Sequence, residues 1–297
     1  MFSPSFLQIP KAQIARQLCE VGYVAIERAL DPEVVDAIIA DVDDLRFEIN
    51  RNVPPNVVMG GQTYANHVFA RSRSAFEVVV HERVTGVLRE GLGEAFRMVG
   101  KRIYETRSGY YMQFHSDTAS RFGGPERLDA MVFIFYLNDV RQGEWEIIEG
   151  SHLWGETTVG SRANDEALLQ RPDVKVRGFP MPKGSLIIYN GRVLHRARRF
   201  KDPDFARRSF FFQVNRQAKS SEPMLIDASF IRPDLSDDAR MLLGFGKPAV
   251  MAPYPNSSPA SLPVGRDAAI DRYLVENLPL DRLFAGKVPA AGEAPDR

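Results

Sequence analysis

Residues Tyr110-Tyr111-Met112-Gln113-Phe114-His115-Ser116-Asp117-Thr118 set the reading of the whole chain. The run has the look of a strand end, in which side chains alternate between two faces. His115 and Asp117 stand two apart and therefore project to the same side. An imidazole and a carboxylate from one rigid edge supply two ligands for a divalent metal. A third is available in His195, at the end of another strand-like run beginning Ser185-Leu-Ile-Ile-Tyr. Two histidines and one carboxylate on one face of an octahedron leave the opposite positions open, which suits non-haem Fe(II). His-x-Asp alone recurs by chance, so its weight comes from its surroundings. His152 is the rival third ligand.

Outward from this stretch, from about residue 97, short strand-like segments follow one another. They are expected at 101–107, 110–116, 130–137, 144–149, 174–179, 185–189, 193–197 and 208–215, with turn residues between several of them. This spacing implies a mainly β fold with flanking helices, an antiparallel barrel or jelly roll. Asn190-Gly191 is a two-residue hairpin signal between the sixth and seventh of these segments.

Towards the N-terminus a short helix is expected at 11–20, a strand at 22–26, and a helix from Asp31-Pro32 to about residue 47. Residues 50–73 read as loop, and Ser74-Ala-Phe-Glu77 as a capping box opening a helix to about Leu92. Beyond residue 220, helices are expected at 237–243 and 267–278, separated by an irregular stretch at 247–263 that holds five prolines. The whole of residues 1–297 then reads as one domain. It has a helical flank to about 96, a β core over about 97–216 and a C-terminal helical extension.

The bulk properties are those of a water-soluble globular protein. Lys+Arg and Asp+Glu balance at 38 each, so no global field favours nucleic acid or an anionic membrane. No apolar run is long enough to span a bilayer, and the N-terminus lacks a secretory pattern. The single cysteine, Cys19, excludes an intrachain disulfide and fits a reducing, cytoplasmic setting.

The ordered set resembles the phytanoyl-CoA dioxygenase-like family of Fe(II)/2-oxoglutarate oxygenases. The resemblance rests on Glu20-Val-Gly-Tyr-Val-Ala-Ile, His115-Ser-Asp117, Phe133-Ile-Phe-Tyr-Leu-Asn-Asp, Glu149-Gly-Ser-His152 and Lys183-Gly-Ser-Leu-Ile-Ile-Tyr before His195, and on Arg207 twelve residues later. It implies a double-stranded β-helix of the cupin-like, jelly-roll type that binds Fe(II) through His115, Asp117 and His195. It also implies 2-oxoglutarate and dioxygen as co-substrates, and oxidation of a small molecule coupled to release of succinate. An arginine would clamp the far carboxylate of 2-oxoglutarate with paired hydrogen bonds. Alternation places Arg207, Ser209, Phe211 and Gln213 on one strand face and Arg208 on the other, so Arg207 with Ser209 is preferred; a register slip of one would substitute Arg208.

Substrate contacts are expected from His67 and Arg71 in the polar 50–73 loop and from Phe133. Relatives that transfer chloride replace the carboxylate with a small residue, and Asp117 argues against that chemistry here. Two other classes remain open: a cupin-like metalloenzyme with no oxo-acid co-substrate, and a barrel that binds a ligand without catalysis.

Overall fold

The computed structural model describes residues 1–48, 56–59, 62–65, 68–107, 113–118, 127–154, 165–216, 224–245 and 261–264. In chain order these form α1 (Pro4–Leu7), α2 (Lys11–Glu20), β1 (Tyr23–Ile26), α3 (Pro32–Glu48), β2 (Asn56–Met59), β3 (Gln62–Ala65), α4 (Arg73–Val80) and α5 (Glu82–Leu92). There follow β4 (Phe96–Arg107), β5 (Ala130–Tyr136), β6 (Trp145–Ile148), α6 (Asp165–Leu169), β7 (Val176–Gly178), β8 (Leu186–Asn190), β9 (His195–Ala197) and β10 (Ala206–Arg216). The described chain closes with β11 (Met224–Asp227), α7 (Asp237–Leu243) and β12 (Ser261–Val264).

A seven-stranded sheet in the order β1-β8-β5-β10-β4-β3-β2 faces a three-stranded sheet, β7-β6-β9. Every pairing in these two sheets is antiparallel. β5 is buried along its entire length because both faces of the large sheet are covered. Phe133 and Phe135 turn to the helices, where the core also takes Phe76, Val79, Leu88, Phe210 and Phe212. Val132, Ile134 and Tyr136 turn the other way and meet Trp145, Ile147 and Tyr189 between the sheets. Phe133 stacks on Phe212 with centroids 4.6 Å apart and planes 10° from parallel. Burial of one such side chain contributes about 1.5–3 kcal/mol.

The same alternation runs through β10. Phe210, Phe212 and Val214 enter the helix-side core, while Phe211 joins the layer between the sheets. Arg207, Ser209 and Gln213 share its parity along the strand.

Several local expectations change. The helix over 74–92 is two helices broken at His81, whose ψ of 138° is extended and whose Nδ1 accepts from the Arg83 N–H at 3.0 Å. The first of them is capped by Ser72 rather than Ser74: Ser72 Oγ accepts from the Ala75 N–H at 3.0 Å and donates to Asp41 Oδ2 at 2.8 Å. The 50–73 segment contains a hairpin, β2–β3, which extends the large sheet because β3 finds the free edge of β4. Of 110–116, the part described makes a single bridge, His115 to His195.

Asn190-Gly191 does turn, with Val193 N–H donating to Asn190 O at 2.9 Å. It joins strands of different sheets instead of closing a hairpin. The C-terminal extension includes the parallel pair β11–β12, and Pro263 of the proline-rich stretch lies in it. The helix expected at 267–278 lies outside the described residues.

Candidate metal centre

The seam between the two sheets brings the distant ligands together. His115 N–H donates to His195 O at 3.0 Å, and His195 N–H returns the bond to His115 O at 2.9 Å. Gly191 O, in the β8–β9 turn, accepts from both the Asp117 and Thr118 amides at 3.0 and 3.1 Å. Asp165 Oδ1 accepts from the Phe114 amide at 2.9 Å, and the Arg196 guanidinium stacks 4.2 Å over the Phe114 ring. Arg196 is itself held by Glu146 and Asp165. The His-x-Asp segment is thus pinned at four points to β9, α6 and the turn before β9.

One ligand atom each from His115, Asp117 and His195 falls within 4.8 Å of the other two. His115 Nε2 is 4.0 Å from Asp117 Oδ1, and His195 Nε2 is 3.5 Å from Asp117 Oδ2. The opposite ring nitrogens are engaged by backbone carbonyls: His115 Nδ1 by Gln113 O at 2.9 Å and His195 Nδ1 by Val193 O at 3.0 Å. Carbonyls only accept, so both rings carry their proton on Nδ1 and offer the Nε2 lone pair. Burial lowers the pKa of His195 to about 4, against the opposite pull of Asp117, so the ring is neutral at ordinary pH. Tyr189 adds a contact at the same place, its phenol donating to Asp117 Oδ2 at 2.5 Å and standing 3.3 Å from His195 Nε2. Burial, then the charge of Asp117, raises its pKa well above the ordinary tyrosine value.

These groups lie on the wall of a cavity of about 170 Å³, which also reaches Arg102, Tyr104, Ile134 and Arg207. Arg207 is 3% exposed, and its guanidinium donates to Gly143 O at 2.5 Å while Nε has no partner. Ser209 Oγ, two residues on and fully buried, is also without one. Unpaired buried polar atoms cost about 1–3 kcal/mol each, so the unpaired Nε of Arg207, a residue of the cavity wall, is a place where an anionic ligand could be held. Arg208 projects elsewhere and binds Glu105 Oε2 at 2.8 Å, so strand parity favours Arg207 as the cation of the cavity.

The other expected contacts fare differently. Phe133 is a core residue on the helix side, and its neighbour Ile134 supplies the cavity wall from β5. Arg71 follows the buried turn Val68–Ala70, whose Phe69 packs on Phe76 and Phe210, and it is absent from the cavity wall. His67 lies outside the described residues. The hairpin strand β3 pairs with β4, the strand that carries Arg102 and Tyr104 of the cavity wall. His152 is no ligand: its Nε2 bonds Cys19 O at 2.9 Å, while Ser151 Oγ accepts from the Leu194 amide beside His195. Tyr189 and Arg102 went unrecognised from sequence. Tyr189 shares with Ile187 the face of β8 turned between the sheets, a position that reads as core from sequence.

A family model described as phytanoyl-CoA dioxygenase (PhyH) matches residues 18–209. No curated protein matches the chain. Among solved structures it is similar to the epimerase SnoN, crystallised with Fe3+, alpha ketoglutarate and nogalamycin RO, at 18% identity over 84% of this chain and 94% of that one, with a TM-score of 0.56. The carbocyclase SnoK from nogalamycin biosynthesis gives 17% identity, coverage of 71% and 86%, and a TM-score of 0.57. HygX from Streptomyces hygroscopicus, with nickel, 2-oxoglutarate and hygromycin B bound, gives 16%, coverage of 72% and 90%, and a TM-score of 0.51. At these identities the likeness is one of fold.

Proposed function

The chain belongs to the phytanoyl-CoA dioxygenase family, and on that premise we propose that it is a non-haem Fe(II)/2-oxoglutarate-dependent oxygenase. It would act on a C–H bond of a small molecule, with hydroxylation as the outcome. The observation that carries this reading is the convergence of His115, Asp117 and His195 in a cavity that also holds the unpaired Arg207 Nε. The residues fit the group: two Nε2 donors and a carboxylate oxygen suit Fe(II) and leave three positions for small molecules. Iron bound there with 2-oxoglutarate supplies dioxygen activation coupled to decarboxylation of the oxo acid to succinate.

This chain's own residues bind, orient and shield. His115 and His195 present fixed lone pairs, and their tautomers are locked before any metal arrives. Arg207, with Ser209 beside it on the strand, meets the far carboxylate of 2-oxoglutarate, a guanidinium matching a carboxylate with two parallel hydrogen bonds. Ile134, Trp145 and Phe211 exclude water from the space between.

Incubation with Fe(II), 2-oxoglutarate and a metabolite panel tests the proposal. One succinate should form per substrate consumed; turnover of a substrate without 2-oxoglutarate would indicate the cupin-like alternative. SnoN and SnoK are an epimerase and a carbocyclase, and an epimerisation leaves the formula of its substrate unchanged. Hydroxylation by this chain therefore predicts one 18O atom from 18O2 in the product, and an unlabelled isomer or ring-closed product would assign the other outcome.

A further inference from the structure

The phenol of Tyr189 sits where the three ligands converge, and nothing in the proposed chemistry uses it. Its ring is wedged between Trp145 (centroids 4.6 Å) and His195 (4.8 Å), so its position is set by packing. Its hydroxyl has two acceptors within reach, Asp117 Oδ2 at 2.5 Å and His195 Nε2 at 3.3 Å. The second competes only while that nitrogen is free. Once Nε2 is spent on a metal, the single phenolic proton has Asp117 alone.

We infer that Tyr189 is a positioning residue that makes Asp117 a one-oxygen ligand. A carboxylate with both oxygens free can chelate a divalent ion and take two coordination positions. With Oδ2 held by the phenol, one oxygen remains for the metal, and three positions stay open. Three are what the proposed reaction needs: two for the chelating oxo acid and one for dioxygen. The hydroxyl also completes the outer contacts of the triad, because each imidazole already has its carbonyl and Asp117 has Tyr189.

The inference rests on reading the triad as a metal site, and the test separates the two. Tyr189→Phe keeps the ring against Trp145 and His195 and removes only the hydroxyl. Metal affinity is measured by anaerobic titration with Fe(II) and, independently, with Co(II), whose visible spectrum reports coordination number. The charge-transfer absorption of the anaerobic Fe(II)–2-oxoglutarate complex is recorded alongside. The expected result is metal binding about 10–100-fold weaker, with a weakened or shifted charge-transfer band. In an Asp117→Asn background the same substitution should have little further effect. A mere packing role predicts unchanged affinity and spectra in Tyr189→Phe, and that result would overturn the inference while leaving the metal site standing. Failure of the wild type to bind either ion would overturn both. Should Tyr189→Phe fold poorly, Tyr189→His and Tyr189→Leu are compared: only the histidine keeps a ring donor toward Asp117, so equal metal affinity and spectra in the two would overturn the inference.

Discussion

Arg207 and Arg208 are adjacent and identically charged, yet they answer to different surroundings. Arg207→Ala should raise the 2-oxoglutarate concentration needed for half-maximal succinate release at least tenfold, since a charge-assisted pair contributes on the order of 2–3 kcal/mol. Arg208→Ala removes a partly exposed ion pair with Glu105 and should leave that requirement within about twofold. The assignment was legible because strand parity is rigid: once Phe210 and Phe212 are known to be core, Arg207 must take the other face. Tyr189 was not legible in the same way, because a tyrosine ending an apolar strand looks like core until its hydroxyl is seen to reach Asp117. His195 carries a pH prediction. Its folded pKa, about 4, lies below the ordinary 6.5, so the unfolded chain binds the proton first. The metal-free protein should therefore gain stability as pH rises from about 4 to 6.5, by on the order of 3 kcal/mol, and hold it above that. His152, whose pKa is also lowered, by burial first, adds to the slope in the same direction. Urea denaturation of metal-free protein across this range measures it, and His195→Gln should flatten the curve.

At the level of elements, the strands were legible and their partners were not. Alternation and turn residues located β5, β6, β8 and β9 to within a residue or two, but neighbour choice depends on contacts far apart in sequence. Hence Asn190-Gly191 reads as a hairpin although the chain there changes sheets. The crossing is close: a Cβ on Gly191 would stand 2.8 Å from Ala130 Cβ and 3.1 Å from Thr118 Cγ2. Gly191→Ala should cost about 1–3 kcal/mol in thermal or urea unfolding and weaken metal binding, because Thr118 adjoins Asp117. Caps fail for a related reason. Ser74 is the cap that the sequence suggests, and what favours Ser72 in its place is Asp41, a residue of α3. Ser72→Ala should lose about 1 kcal/mol, and Ser74→Ala should lie within about 0.5 kcal/mol of wild type. Phe133→Ala should cost about 3–5 kcal/mol, as expected for a core residue.

For the molecule as a whole, the ion would tie the small sheet to the segment beside it. Metal that binds only the folded protein raises its stability by about 2.7 kcal/mol at a hundredfold excess over Kd. Differential scanning fluorimetry should thus show a higher melting temperature with Ni(II) or Co(II) than with chelator, and no such shift in His115→Ala. Wild-type activity should be indifferent to chloride, since on the proposed reading the Asp117 carboxylate would take the position that a halide needs; a chlorinated product in mass spectra would count against the assignment. The reciprocal backbone bonds between His115 and His195 have a consequence in time. A chain leaving the ribosome displays His115 and Asp117 long before residue 195 emerges, and until then the pair has no partner to close on. Contacts so distant in sequence form slowly and late. Metal capture by a site so built would belong to the finished chain, and a fragment ending before β8 should fail to retain the ion.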